Sequence, residues 1–398
     1  MSGFDSHRID RLGEVMARHV EQDDVGGVAW LAARDDDFEV GTAGVLTRGE
    51  AAPIQRDTVF RIASMSKPVV AVAALLLVEE CRLRLDDPVD DLLPELANRD
   101  VLLDPLGPVD GPTEPALRPI TVHDVLTFRL GYGMAFDWPW PQPFLDATQD
   151  LGIATAPPQP QLAPDPDTWI EQLGTLPLLH QPGARWLYHY GAEVLSVLIA
   201  RASGQTLERF LAERVFEPLG MRDTAFFASD PTRLTSCYAR HPETGAVECF
   251  DPPTGDWARM PAFPSGGGGL VSTLDDVCSF GRMLLAGGRL PDGARLLSGA
   301  SVEAMTTDQI GAAPGVPGPT LDGSLGWGLG VGVQVRRVGL VPTVGSYGWT
   351  GGLGSAWGND PSERLVGVVL TTDAFTSAFP LPATIQDFWT TVASSYDD

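Results

Sequence analysis

Thr58-Val59-Phe60-Arg61-Ile62-Ala63-Ser64-Met65-Ser66-Lys67 leads from a strand-like run into an apolar helix expected over Pro68 to Glu80. Lys67 is the only lysine among the chain's 27 basic residues. An ammonium can lose its proton when desolvated, and a guanidinium cannot. A lone lysine three residues after a serine, at a helix start, is therefore the layout of an activated serine nucleophile. Positions i and i+3 share a helix face, which brings the amine to the Ser64 hydroxyl. The Ser64 N–H falls among the unpaired first-turn amides, where the helix dipole favours a developing oxyanion. Pro68 costs little so early in the helix. S-x-x-K alone also arises where a serine merely caps a helix. The unique lysine and the order strand, motif, apolar helix carry the reading further.

Outward from this stretch, strands gather at the chain's two ends and helices in its middle. Ile9, Leu12, Val15, Met16 and His19 recur at helical spacing within Ser6 to Glu21. Gly26 to Ala33 reads as a buried strand, and Phe38 to Gly44 as its hairpin partner across Asp35-Asp36-Asp37. A short helical turn is expected at Asp86 to Pro94, and a helix capped by Thr121 after Ile120. Further helices are expected over Trp169 to Leu179, Gly191 to Ser203, Leu207 to Val215 and Leu274 to Leu285. Strands are expected over Gly326 to Val335, 341–349, Gly354 to Asn359 and Leu365 to Thr372, before a last helix over Leu381 to Ser394. Gly131 to Pro166 is rich in proline and aromatics and has little periodicity, as a functional loop or lid would. The pattern is α+β: one antiparallel sheet built from both ends, flanked by helices, with an all-α domain inserted. The expected domains are 1–80 plus 260–398, discontinuous, and 81–259, mainly helical and carrying the 131–166 loop.

The bulk numbers exclude several functions. A net charge of −25 over 398 residues repels phosphate backbones and anionic lipid, so neither nucleic acid nor membrane is an expected partner. Met1 to Glu21 has no apolar signal core, and no apolar run is long enough to span a bilayer, which points to a cytoplasmic protein. Cys81, Cys237, Cys249 and Cys278 form no CxxC pair and no cluster with the six histidines. Four buried or half-buried free thiols are expected, with no metal site and no cofactor. The nucleophile elbow G-x-S-x-G, the Walker motif, the dinucleotide fingerprint and HExxH are all absent.

Two more segments bear on the chemistry. Tyr188, in Pro182-Gly183-Ala184-Arg185-Trp186-Leu187-Tyr188-His189-Tyr190-Gly191, is a phenol that a nearby ammonium could hold at a lowered pKa as a proton shuttle. Tyr347-Gly348-Trp349-Thr350-Gly351-Gly352 lies between two expected strands, and its glycines let backbone approach a ligand. Taken singly, each segment is as well explained by packing or a turn.

Together with Phe60 to Lys67, Ile120 to Tyr132, Pro218-Leu219-Gly220-Met221 and Gly266 to Leu274, these segments resemble the serine β-lactamase and DD-peptidase superfamily. Within it the chain is most similar to the class C β-lactamase-like group that includes the family VIII carboxylesterases. The order and spacing fit over nearly the whole chain. The resemblance implies a β-lactamase/transpeptidase-like fold with its site in the cleft between sheet and helical domain. It implies Ser64 as the acylated nucleophile, Lys67 as general base, Tyr188 as proton relay, and the amides of Ser64 and Gly352 as the oxyanion hole.

Two positions depart from the β-lactamase pattern. Tyr190 replaces the asparagine of Y-x-N, which helps hold the lysine and the substrate's acylamide. Trp349 replaces the lysine of K-T-G, and an indole cannot pair with a β-lactam carboxylate. The resemblance therefore implies an esterase on a small-molecule ester, with Trp349, Gly351, Tyr132, Tyr190 and Trp138 as candidate substrate contacts. Tyr132, Phe136, Trp138, Trp140 and Phe144 are either lid packing or walls of an acyl pocket; Trp257, Trp327 and Trp357 read as core. A β-lactamase, a D-amino-acid peptidase or amidase, and an acyltransferase to an alcohol would share the mechanism. A non-catalytic ligand-binding protein would not need Ser64, Lys67 and Tyr188 intact.

Overall fold

Gly27–Arg34 (β1) is buried at every position, so it must be covered on both faces. Its side chains divide by parity. Val28, Trp30 and Ala32 pack with Leu12 and Met16 of Arg11–Glu21 (α1) and with Ile385, Phe388 and Val392 near the C-terminus. Ala29, Leu31 and Ala33 face the other way, into the main core. The computed structural model describes residues 3–154, 157–241, 243–312, 315–340, 342–376 and 380–396.

A tight turn at Asp35 and Asp36 leads into Asp37–Gly44 (β2). Five strands from the last third complete the sheet: Leu325–Trp327 (β3), Gly332–Gln334 (β4), Tyr347–Gly351 (β5), Ser355–Asp360 (β6) and Leu365–Thr371 (β7). The order is β2-β1-β7-β6-β5-β4-β3, antiparallel at every pairing. Chain ends distant in sequence thus meet at β1 and β7, whose register pairs Val28 with Thr371 and Arg34 with Leu365.

Ser66–Glu79 (α2) is apolar all round, and Val69 to Leu77 are almost entirely buried. A helix without a polar face belongs inside a core. It packs against Tyr190–Ser203 (α3), which ends at Gly204 in the left-handed conformation, φ +70. Leu274–Leu285 (α4) crosses the sheet face at β1, β6 and β7, and Ala383–Ala393 (α5) lies beside α1. One buried cluster runs through α2, α3, α4 and the sheet.

Several elements differ from the sequence reading. The strand expected over 326–335 is the hairpin β3–β4, because Gly328 and Gly330 (φ +78) close a turn in which Gly328 N–H bonds to Val331 O. The strand expected over 341–349 begins only at Tyr347; position 341 lies outside the described residues. The helix expected from Trp169 is Pro166–Leu173, started by Asp165, whose side chain accepts from two backbone amides. Leu207–Leu211 is α-helical and then widens into a π-turn over Ala212–Phe216. The turn expected near Asp86 is a single 3-10 turn at Pro94–Leu96. The 131–166 loop carries the helix Pro143–Asp150 with proline in its first turn; positions 155 and 156 lie outside the described residues. Thr121 does cap Val122–Leu126, in a reciprocal box with Asp124. All four cysteines are free, but Cys81 and Cys249 are exposed rather than buried.

Segment 81–259 holds most of the remaining helices and two short ladders, Asp100–Leu102 with Thr113–Pro115 and Cys237–Arg240 with Val247–Asp251. The proposed division into 1–80 plus 260–398 and 81–259 follows the two chain segments that supply the sheet. No helix among the described residues is long and apolar enough to cross a membrane.

Candidate active site

Ser64 sits in a 3-10 turn, Ala63–Met65, that runs directly into α2. Ala63 has φ +43, a left-handed conformation that costs an L-residue with a Cβ roughly 1–2 kcal/mol. Several hydrogen bonds hold the turn in place. Ser66 Oγ donates to Ala63 O at 2.7 Å and accepts from Leu270 N at 3.1 Å. Ser355 Oγ donates to Ile62 O at 2.8 Å, and Met65 N bonds to the same carbonyl. Strain sustained by its surroundings in this way fixes the direction of the next side chain.

Lys67, fully buried, lies with Nζ 2.9 Å from Ser64 Oγ. The same nitrogen is 2.5 Å from Gly267 O and 3.1 Å from His189 Nδ1. Burial pulls its pKa from 10.5 down to about 7, against the opposing pull of the Glu193 charge. The amine can therefore be neutral near neutral pH, as a base toward an alcohol must be.

Tyr188 lies over the same group. Lys67 Nζ sits 4.6 Å from the centre of its ring. The Tyr188 hydroxyl accepts from Trp349 Nε1 at 2.7 Å and is hydrogen-bonded to Ser64. Burial raises the phenol above its ordinary pKa and outweighs both hydrogen bonds. The expected lowering by the ammonium is thus corrected: the amine meets the ring face, and the phenol keeps its proton.

β5 carries Trp349 and Gly351. The Trp349 indole stands edge-on to Trp327 at 4.7 Å and is nearly buried. At Gly351 a Cβ would come within 2.2 Å of Ile62 O, so only glycine lets β5 lie this close to the Ser64 turn. Gly352 follows it, exposed, with nothing within 4 Å of an added Cβ.

Of the other candidates, Tyr132 and Tyr190 are not brought to Ser64. Tyr132 is buried in the core, donates its hydroxyl to Leu176 O at 2.8 Å and stacks on Phe144; burial pushes its pKa up to about 12. Tyr190 donates to Thr148 Oγ1 at 2.8 Å and packs on Phe144 and Trp169. Trp138, half-buried, contacts the Arg185 guanidinium at 5.0 Å and His180. The loop ring that reaches Tyr188 is Phe136, at 5.2 Å, and Met134 exchanges backbone hydrogen bonds with Tyr188.

His189 and Glu193 were not assigned from the sequence. His189 Nε2 is 3.0 Å from Glu193 Oε1, and both side chains are buried. Glu193 also accepts from Ser265 Oγ at 2.7 Å and from Gly267 N at 3.3 Å. The i,i+4 spacing at a helix start was the available signal. Burial, joined by the Lys67 charge, lowers the His189 pKa to about 4 against the opposing pull of Glu193. Among the described residues, no group of three His, Cys, Asp or Glu is placed to hold a metal ion. Two solvent-facing cavities, one along Arg118, Asp124 and Arg129 and one along Asp35, Arg282 and Arg364, share no lining residue with the Ser64 group.

A protein-family model described as Beta-lactamase matches residues 12–387. Protein Rv1367c of Mycobacterium tuberculosis is 36% identical over 352 residues, covering 86% of this chain and 84% of its own. Esterase EstB of Burkholderia gladioli is 30% identical over 389 residues, covering 91% and 90%. The solved structure of "EstCE1, a hydrolase with promiscuous acyltransferase activity" superimposes with a TM-score of 0.79 at 25% identity, covering 96% of this chain and 98% of its own.

Proposed function

The chain belongs to the beta-lactamase family, and from that premise we propose that it is a serine hydrolase that cleaves carboxylic esters through an acyl-enzyme on Ser64. Lys67 is the general base and Tyr188 the proton relay. The observation that carries this reading is the 2.9 Å contact between Ser64 Oγ and a fully buried amine held near neutrality.

Lys67 takes the hydroxyl proton as Ser64 Oγ attacks the ester carbonyl carbon. Charge then collects on the carbonyl oxygen, where the amides of Ser64 and Gly352 are the proposed donors. When the C–O bond breaks, the alkoxide needs a proton. The Tyr188 phenol, protonated and hydrogen-bonded to Ser64, passes one on and is re-protonated from Lys67 by way of the water that enters for deacylation. Water repeats the sequence on the acyl-enzyme and releases the acid.

Ester is favoured over β-lactam by Trp349. Its indole N–H is engaged by the Tyr188 hydroxyl, and it brings no cation to meet a carboxylate. The similarity to the esterase EstB and the hydrolase EstCE1 supports the same choice. Acyl transfer to an alcohol is the second reading. It is supported by the promiscuous acyltransferase activity of EstCE1 and by the rings around Tyr188, since Phe136, Trp186 and Trp349 all pack on it and an apolar rim disfavours water as acceptor. Phe136 and Trp349 replace Tyr132, Tyr190 and Trp138 as the proposed acyl-pocket contacts.

p-Nitrophenyl butyrate hydrolysis, measured beside nitrocefin and with added alcohols, tests these readings. Ser64→Ala is expected to abolish ester turnover. Lys67→Arg is expected to lower kcat by about 10²–10⁴-fold, the usual contribution of a positioned base. A Ser64→Ala protein that still turns over the ester would sink the proposal, and nitrocefin turnover equal to ester turnover would move it to the lactamase branch.

A further inference from the structure

The base, if Lys67 is one, must be held so that its lone pair and not an N–H faces Ser64. A neutral amine has two N–H bonds and one lone pair. Nζ has three polar neighbours: Gly267 O, His189 Nδ1 and Ser64 Oγ. Gly267 O can only accept. What His189 Nδ1 does depends on its tautomer. On the far side of the ring, Nε2 meets Glu193 Oε1 at 3.0 Å, and a carboxylate can only accept. Nε2 therefore carries the hydrogen, and Nδ1 presents a lone pair to Nζ. Both N–H bonds of the amine are then taken by acceptors. The lone pair is left for the Ser64 O–H, which donates to Nζ.

We propose that His189 and Glu193 form a buried positioning dyad for Lys67, in which Glu193 fixes the His189 tautomer and His189 orients the amine as a base toward Ser64. The proposal rests on the Ser64 acyl-transfer reading for its consequence, but its geometry stands on independent features.

The first is backbone strain. His189 has φ +87 and ψ −58, outside the regions open to residues with a Cβ. A non-glycine residue is held there only when its surroundings over-determine it. The turn places the imidazole between Lys67 and Glu193, directly before α3. The second is the clearance at Gly267. A Cβ there would lie 2.4 Å from Glu193 Oε1 and 2.9 Å from His189 Nε2. The residue that supplies the carbonyl to Lys67 must therefore be glycine for the dyad to fit beneath it. The third is that Glu193 is fully provided for, with Ser265 Oγ and Gly267 N–H as well as His189.

The ionisable groups that face the amine are Tyr188, His189 and Glu193, all from the turn that opens α3. Segment 265–269 brings Ser265 and backbone, β5 brings Trp349, and the start of α2 brings Ser64. Glu193 is the one anion in this set, and its charge raises the pKa that burial lowers. Losing that charge should make Lys67 easier to deprotonate.

The experiment has two parts, both on the full chain. The first is the pH profile of kcat/KM for p-nitrophenyl butyrate in wild type, Glu193→Gln, His189→Leu and His189→Gln. In Glu193→Gln the acid limb is expected to move down by about one pH unit. His189→Leu is expected to lose about 100-fold on the plateau. His189→Gln, whose side-chain oxygen can accept from Nζ, is expected to recover most of it. A purely structural role would lower the plateau and leave the limb in place. An unmoved or upward-shifted limb in Glu193→Gln, or His189→Leu as active as wild type, overturns the proposal. The second part needs no variant to fold: ¹⁵N-imidazole NMR of wild type at pH 8 is expected to report His189 as the Nε2–H tautomer, and an Nδ1–H tautomer overturns it. Failure of the esterase reading is seen separately, as Ser64→Ala that keeps its activity, and leaves the NMR result to decide the dyad.

Discussion

At the scale of single residues, Lys67 carries a conflict between folding and catalysis. Its amine is ionised in the unfolded chain up to pH 10.5 but only to about 7 in the folded protein. Below pH 7 both states bind the proton and the cost of burying the charge is borne in full. Between 7 and 10.5 only the unfolded chain keeps it, so the cost falls by about 1.4 kcal/mol per pH unit, and above 10.5 it is gone. Lys67→Met removes this pH-dependent term. It also orphans the Gly267 carbonyl, at a roughly constant cost of about 1–3 kcal/mol. The stability of Lys67→Met relative to wild type is therefore expected to decline from pH 7 to pH 10, followed by denaturant unfolding; a difference flat in pH would show that the amine is not depressed. That Ser64, Lys67, Tyr188 and Trp349 lie together was legible in the sequence because their motifs are short and ordered. His189 and Glu193 were not, because their roles come from contacts at long range: Lys67 lies 122 positions from His189, and Gly267 lies 74 from Glu193. Tyr132 and Tyr190 misled because an aromatic near a motif reads alike whether it faces a cleft or, as here, a core hydroxyl or carbonyl.

At the scale of elements, the strands and helices with clean periodicity were readable and the turns were less so. β1 and α4 fall where the apolar run and the helical spacing put them. The β3–β4 hairpin was hidden, because glycines that close a turn look like glycines inside a strand until pairing is known. Helix Pro143–Asp150 was hidden by the prolines and aromatics around it. The run Gly266 to Gly269 is glycine for clearance, which not every glycine near Ser64 needs. Gly267→Ala would push a methyl into Glu193 and His189, and Ser265 and the strained turn keep both from yielding. Overpacking of this kind costs about 1–3 kcal/mol, and the shift of His189 is expected to lower ester turnover at least tenfold. Gly352→Ala meets nothing within 4 Å and is expected to melt as wild type does. Thermal melts of the two variants check the contrast. Equal destabilisation at both positions would contradict it.

At the scale of the whole molecule, the fold was legible because a sheet shared between the chain's ends leaves a plain trace: apolar strands at both termini with helices between. Net charge adds a property that no single element has. With 52 acidic and 27 basic residues, the excess of carboxylates lacks partners of opposite sign. Ion pairs such as Arg56–Asp275 and Arg209–Glu213 are exposed, and pairs of that kind contribute little. Salt acts on both terms. It weakens these pairs, which lowers stability, and it weakens the mutual repulsion of the unpaired carboxylates, which raises it. The repulsive term involves far more charge and is spread over distances comparable to the Debye length, about 10 Å at 0.1 M, so screening relieves it most. The buried pair Arg61–Asp251, largely out of reach of mobile ions, is little affected. The melting temperature at pH 7.5 is therefore expected to rise between 10 mM and 300 mM sodium chloride, and to rise equally in choline chloride, because screening depends on ionic strength and not on the cation. A fall in Tm would mean that the surface pairs outweigh the net charge, and a rise confined to sodium would point to bound cations in place of screening.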